Sequence, residues 1–203
     1  MTCYEVLRLR VEVSSSIKLA ATAASGYAVY CLLTSAFFYL IMKKAFIGIG
    51  SNLGDRRNNC VEAVERLKGL RECELIRCSR WYLTSPVGVE DQDWFVNGVA
   101  CLGAEVSARE LLGKLLSIEA GMGRVRTQKW GPRVIDLDLL LYGMDIVKEA
   151  DLTIPHPHMH LRRFVLAPLA EVDPDVIHPV LAKTASQMLQ ELQGEEQQVT
   201  FLE

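Results

Sequence analysis

An α+β fold is predicted, its core over residues 45–142 in the order strand, helix, strand, strand, helix, strand, and two kinds of pattern predict it. Two segments place apolar residues at helical spacing, and four runs read as strands, three of them ending at turns that carry Gly, Pro or Asn. Length agrees, because 203 residues, half of them apolar, suffice for one domain with an extension and hardly for two.

The first strand is expected over Ala45–Ile49, a short apolar run entering the turn Gly50-Ser51-Asn52. The glycines of Gly48-x-Gly50-x-x-x-Gly54 are spaced one residue too widely for a dinucleotide-binding loop and read as the end of that strand. Asp55 or Asn58 can cap a helix carrying Val61, Val64 and Leu67 on one stripe and ending near Gly69. Glu74–Leu83 reads as a second strand, in which Trp81 and Tyr82 serve packing, and Trp94–Ala104 as a third. A second helix is expected from about Ser107 to Gly121, with Leu111, Leu112, Leu115 and Ile118 on its buried face. Val134–Tyr142 completes the set as a fourth strand. This is the ferredoxin-like βαββαβ order, and the residues after Gly143 become an appended C-terminal segment with short helices such as Ala185–Leu192.

Residues 1–44 stand apart as an apolar N-terminal extension to a domain of residues 45–203. No charge falls between Leu19 and Met42, whereas Lys18, Lys43 and Lys44 flank the run. About 20 apolar residues span a bilayer, but Ala, Ser, Thr and Gly26 dilute the hydropathy of the first half. Three readings stand: translation from Met42, a membrane anchor, or an ordered extra helix. The first is favoured because Met42-Lys43-Lys44-Ala45-Phe46 leads straight into the first strand, and a membrane becomes a partner only if residues 19–42 are translated and inserted.

A net charge of -3 argues against a nucleic-acid partner, so any anion site must be local. The six cysteines form no C-x-x-C pair and read as scattered thiols of a reducing, cytoplasmic protein. His156, His158 and His160 alternate with Pro155 and Pro157, which favours an irregular segment over a zinc site.

Chemistry concentrates in Arg133-Val134-Ile135-Asp136-Leu137-Asp138-Leu139. On a strand, the period of two puts Asp136 and Asp138 on one face and Ile135, Leu137 and Leu139 on the other. Like charges this close repel unless a cation lies between them, and a few hard oxygen ligands suit Mg²⁺. Upstream, the stretch from Gly123 to Arg133 carries Arg124, Arg126, Lys129 and Arg133 and no acid. Guanidinium forks match phosphate oxygens, so the two features together point to ATP-dependent phosphoryl transfer.

Arg124-x-Arg126 followed by Trp130-Gly131-Pro132-Arg133-x-x-Asp136-Leu137-Asp138 resembles the signature of the 6-hydroxymethyl-7,8-dihydropterin pyrophosphokinase (HPPK) family. Gly50-Ser51-Asn52-Leu53-Gly54, Thr84-Ser85-Pro86-Val87-Gly88, Phe95-Val96-Asn97, Ile118-Glu119 and Pro155-His156-Pro157 with Arg162 and Phe164 follow in family order, over residues 45–180. The resemblance implies that Asp136 and Asp138 hold two Mg²⁺ ions and that Arg124 and Arg133 hold the phosphate chain of ATP, the co-substrate. It places Glu119, Arg126, Trp130, Leu139, Thr153, His156 and Arg162 on the nucleotide side. Phe95 and Phe164 would sandwich the pterin, with Thr84, Ser85, Val87 and Asn97 at its edge and Trp130 closing over the site. A monomer with small-molecule partners is expected, and the loops Pro86–Asp93 and Arg124–Pro132 are candidate lids. Asp151 stands where some relatives carry a basic residue.

Overall fold

In the computed structural model, residues 42–86, 93–124, 131–192 and 197–202 are described. Their elements are β1 (Lys43–Ser51), α1 (Arg56–Lys68), β2 (Cys73–Cys78), β3 (Tyr82–Thr84), β4 (Phe95–Ala104), α2 (Ala108–Gly121) and β5 (Asp136–Tyr142). After these come a ribbon of β6 (Val147–Lys148) and β7 (Thr153–Ile154), a 3₁₀ turn at Met159–Leu161 and α3 (Arg163–Val172). A second ribbon of β8 (Ile177–His178) and β9 (Lys183–Thr184), then α4 (Ala185–Glu191) and β10 (Val199–Phe201), complete the chain.

The sheet is antiparallel throughout, with order β10-β3-β4-β1-β5 and β2 also paired to β4. α1 begins at Asp55, whose carboxylate accepts the Asn58 N–H at 3.1 Å, and α2 begins in a capping box of Ser107 and Glu110. Both helices lay their apolar stripes on one face of the sheet. There Cys60, Ala63, Leu67, Leu111 and Leu115 meet Ile47, Leu102, Ile135, Leu137 and Leu139. Cutting a fully buried leucine such as Leu111 to alanine costs about 2–5 kcal/mol in such a core. Val61, expected on the α1 stripe, is 38% exposed, and Cys60 and Ala63 take its place.

The segment read from sequence as an appendage is instead the second helical layer. Val165, Leu166 and Leu169 of α3, with Ala185 and Met188 of α4, cover Phe46, Val99, Cys101, Leu140 and Leu141 on the opposite face. α3 carries Pro168 inside it, a residue that argues against a helix when read locally. Tertiary burial of its apolar side overrides that signal.

The single second strand expected over Glu74–Leu83 is broken into β2 and β3. Cys78 pairs with Ala100 and Tyr82 with Asn97, so Ser79, Arg80 and Trp81 oppose only Val99 and Gly98. Ser79 carries the irregularity: its N–H donates to the Val99 carbonyl at 2.9 Å, while its hydroxyl rather than its carbonyl accepts the Val99 N–H, at 3.0 Å. Trp81 lies against Gly98, where a Cβ would meet the indole at 2.6 Å, and Tyr82 is buried. Packing, as expected, is what the Trp81–Tyr82 pair does.

Candidate active site

The floor of the site is the central strand β1. Gly50 lies opposite Asn97 of β4 on one side and Asp136 of β5 on the other, and Gly48 lies opposite Val99 and Asp138. Alternation sends Ile47 and Ile49 into the α1/α2 core, so the positions facing the other way are these two glycines. Having no side chains, they leave a flat floor between a rim of carboxylates and a rim carrying an amide. Space is tight at Gly50, where a Cβ would meet Asn97 Oδ1 at 2.7 Å. Above the floor opens a cleft of about 680 Å³, within the range of small-molecule sites.

Asp136 and Asp138 both line this cleft, as the period of two requires. Asp136 is held between two guanidinium groups, Arg124 on one carboxylate oxygen and Arg133 on the other. Arg124 also binds Glu119, a carboxylate only 3% exposed on the last turns of α2. The same Glu119 Oε1 accepts the Leu137 N–H at 2.7 Å, so one buried side chain fixes both the β5 backbone and Arg124. Arg133 is fixed by Asn52, whose Oδ1 accepts its N–H at 2.8 Å and whose N–H donates to its carbonyl at 3.2 Å. Burial first, and Asp136 second, push the Asp138 carboxyl above the usual carboxylate range, against the pull of Arg162 and Arg133. A carboxylate pair that repels itself, faces a cleft and supplies few hard oxygens is a donor set that fits Mg²⁺.

At the other rim, Asn97 is buried and donates to the Thr84 hydroxyl at 2.7 Å, which leaves Oδ1 as its acceptor. Phe95 and Phe164 also line the cleft, each accompanied by an arginine: Arg133 lies 5.8 Å from the Phe95 ring centre and Arg162 5.6 Å from that of Phe164. β5 is irregular between its pairs Phe46–Leu141 and Ile47–Leu139, and the intervening Leu140 carbonyl accepts the His156 N–H at 2.9 Å. That bond docks His156 and His158 on the cleft wall. Burial, then Arg162, lower the His156 pKa to about 4, so its ring is neutral at physiological pH. Its Nδ1 accepts the His158 N–H at 3.3 Å, which assigns the proton to Nε2.

Of the residues expected from sequence, Thr84, Ser85, Phe95, Asn97, Arg124, Arg133, Asp136, Asp138, His156, Arg162 and Phe164 line one cleft. Glu119 lies beneath it, and the Leu139 side chain packs in the α1/α2 core while Leu140 faces the cleft. Thr153 is exposed on β7 and is not among the lining residues. Val87, Arg126 and Trp130 fall outside the described residues, as do most of the two candidate lids. Asp151 pairs with Arg109 at 2.6 Å. His160 turns toward His178, with ring centres 6.0 Å apart, and no group of three metal-ligating side chains is found among the described residues. From the sequence, Gly48 and Gly50 read only as a strand end entering a turn. The signal available was their alternation with Ile47 and Ile49 on a strand flanked by a D-x-D strand.

Residues 46–174 match the family model for 7,8-dihydro-6-hydroxymethylpterin-pyrophosphokinase. The 2-amino-4-hydroxy-6-hydroxymethyldihydropteridine pyrophosphokinase of Synechocystis is 43% identical over 148 residues, 73% of this chain and 75% of the relative. That of Methylorubrum extorquens is 43% identical over 136 residues, 67% and 86% of the two chains. Folic acid synthesis protein FOL1 of Dictyostelium discoideum is 40% identical over 143 residues, which are 70% of this chain and 22% of that one. The fold is similar to part of HPPK-DHPS from Plasmodium falciparum, in its structure with pteroate, at a TM-score of 0.60 and 15% identity over 74% of this chain and 42% of that chain. On these matches, the chain belongs to the 7,8-dihydro-6-hydroxymethylpterin-pyrophosphokinase family.

Proposed function

We propose that the cleft transfers the pyrophosphoryl group of ATP to 6-hydroxymethyl-7,8-dihydropterin, giving AMP and the pterin diphosphate, the pyrophosphokinase step of folate biosynthesis. The observation that carries this reading is the flat floor of Gly48 and Gly50, with Asp136 and Asp138 on one side and Asn97 on the other. A planar heterocycle needs faces to stack on and fixed polar groups at its edge. Phe95 and Phe164 supply the faces. Asn97, oriented by Thr84, supplies an acceptor, and Ser85 and Val87 complete the edge.

Phosphates belong on the opposite side. Arg124 and Arg133, bound to Asp136 in the free protein, exchange that carboxylate for the phosphate oxygens of ATP and stabilise the charge that develops during transfer. Asp136 and Asp138 would hold two Mg²⁺ ions, which when bound neutralise phosphate charge and lower the proton affinity of the pterin hydroxyl. Arg126, Trp130 and Arg162 complete the nucleotide side, together with His156, whose neutral ring offers an Nε2–H donor rather than a charge. Glu119 acts there through Arg124.

With both substrates so oriented, the pterin hydroxymethyl oxygen bonds to the β-phosphorus as its proton passes to solvent, and the bond from that phosphorus to the α–β bridging oxygen breaks. AMP departs and the β and γ phosphates remain on the pterin. In-line positioning supplies much of the rate. We read the core as ferredoxin-like, residues 45–203 as the catalytic domain, and the enzyme as a cytoplasmic monomer. The free thiols Cys60, Cys73, Cys78 and Cys101 support that compartment.

The test follows AMP formed by the full chain from ATP, Mg²⁺ and 6-hydroxymethyl-7,8-dihydropterin, with Asp138→Ala alongside. Pterin-dependent AMP that collapses in the variant is expected. Folded protein that forms no AMP in response to pterin would sink the reading.

A further inference from the structure

The two walls of the cleft come from distant parts of the chain, and a dipeptide near its C-terminus bonds to both. The Gln197 side-chain amide spans the turn that enters α3: its Oε1 accepts the Arg163 N–H at 2.7 Å and its Nε2 donates to the Leu161 carbonyl at 3.1 Å. Between those two backbone groups sits Arg162, and Phe164 follows them, both of which line the cleft. Arg162 caps α3 with no side-chain hydrogen bond of its own, so Gln197 satisfies the first N–H of that helix from another part of the chain.

Gln198 holds a second wall, at Ser85. Its N–H donates to the Ser85 hydroxyl at 3.2 Å and its carbonyl accepts the Ser85 N–H at 3.1 Å. The strand then continues as β10 along β3, with Val199 opposite Thr84, the residue that orients Asn97. Gln197, Gln198 and β10 lie beyond residue 174, where the match to the family model ends, whereas the residues they hold lie within it.

We propose that Gln197 and Gln198 form a clip that sets the separation of the Ser85 wall from the Arg162–Phe164 wall, with Gln197 a positioning residue for Arg162 and Phe164. The role in turnover rests on the pyrophosphokinase reading of the cleft. The clip acts through hydrogen bonds to backbone and touches neither substrate, so its loss changes how well the pterin is held before it changes whether the protein folds.

The experiment compares the full chain with Gln197→Ala and Gln197→Glu by amide hydrogen exchange, thermal unfolding and steady-state kinetics. In the alanine variant, exchange should quicken at Arg163 and also at Ser85 on the second wall. The KM for pterin should rise on the order of tenfold, equivalent to about 1.4 kcal/mol of lost binding. Gln197→Glu keeps the acceptor for the Arg163 N–H but loses the donor to Leu161, and should fall between the other two. A Ser85 amide that stays as protected as in the wild type overturns the clip, and so does an unchanged pterin KM, whether or not the melting temperature falls. If the wild-type chain makes no pterin-dependent AMP, the pyrophosphokinase reading fails by itself, and the paired exchange response still decides the clip.

Discussion

Replacing Glu119 by alanine removes a buried carboxylate oxygen that accepts from both the Leu137 N–H and Arg124. Two costs follow. The Leu137 N–H, buried between β5 and α2, is left without its acceptor, which costs about 1–3 kcal/mol. Arg124, whose side chain is 15% exposed, loses one of two carboxylate partners. Breaking a buried pair outright costs about 3–5 kcal/mol, and the contact with Asp136 that remains keeps this cost at or below the lower end. Together they predict a loss of about 3–5 kcal/mol, or about 10 °C in melting temperature for a chain of this size. Glu119→Gln keeps a carbonyl oxygen for the Leu137 N–H and nearly the same volume, and loses only the charge on Arg124. Its cost should be smaller, about 1.5–3 kcal/mol. Urea unfolding of the full chain and both variants reads these values. Equal losses in the two variants would refute the double-acceptor account. A loss in the alanine variant below about 1 kcal/mol, the ceiling for an exposed ion pair, would refute the claim that the charge pair is effectively buried.

Gly50→Ala places a methyl group 2.7 Å from Asn97 Oδ1, which must shift and strain its bond to Thr84; the pterin KM should rise by about tenfold with the KM for ATP little changed, as steady-state kinetics with each substrate varied will show. Asp138→Asn removes a carboxyl whose folded-state pKa lies above its unfolded value, chiefly through burial and Asp136. Such an acid costs the metal-free fold stability as pH rises above the ordinary carboxylate range, so in EDTA the variant should unfold at higher urea than wild type at pH 8, and the difference should vanish toward pH 4. A gain that is independent of pH would contradict the assignment.

The local chemistry was legible in the chain itself. Alternation put Asp136 and Asp138 on one face of β5 and sent Leu137 to the other, because a strand's period of two is a property of the backbone and needs no partner. Asp55 was one of two candidate caps for α1 and Ser107 the approximate start of α2, and both proved to be caps, which satisfy N–H groups only a few residues away. What lay within one element could be read from it.

Everything that depends on a neighbour from another element waited for the tertiary structure. The break at Ser79–Trp81 is set by the facing Val99 and Gly98, and α3 forms through Pro168 because its apolar side is buried against the sheet. Glu119 was legible as a motif residue, but that it lies beneath β5 and holds Leu137 and Arg124 follows only from the packing of α2 on that strand. Gly48 and Gly50 became a floor only when β4 and β5 closed around them, and Gln197 and Gln198 joined two walls that local sequence keeps far apart. Hydrogen bonds between residues distant in sequence leave no periodicity behind, so the sequence determined the parts of this site and the folded chain alone determined the distances between them.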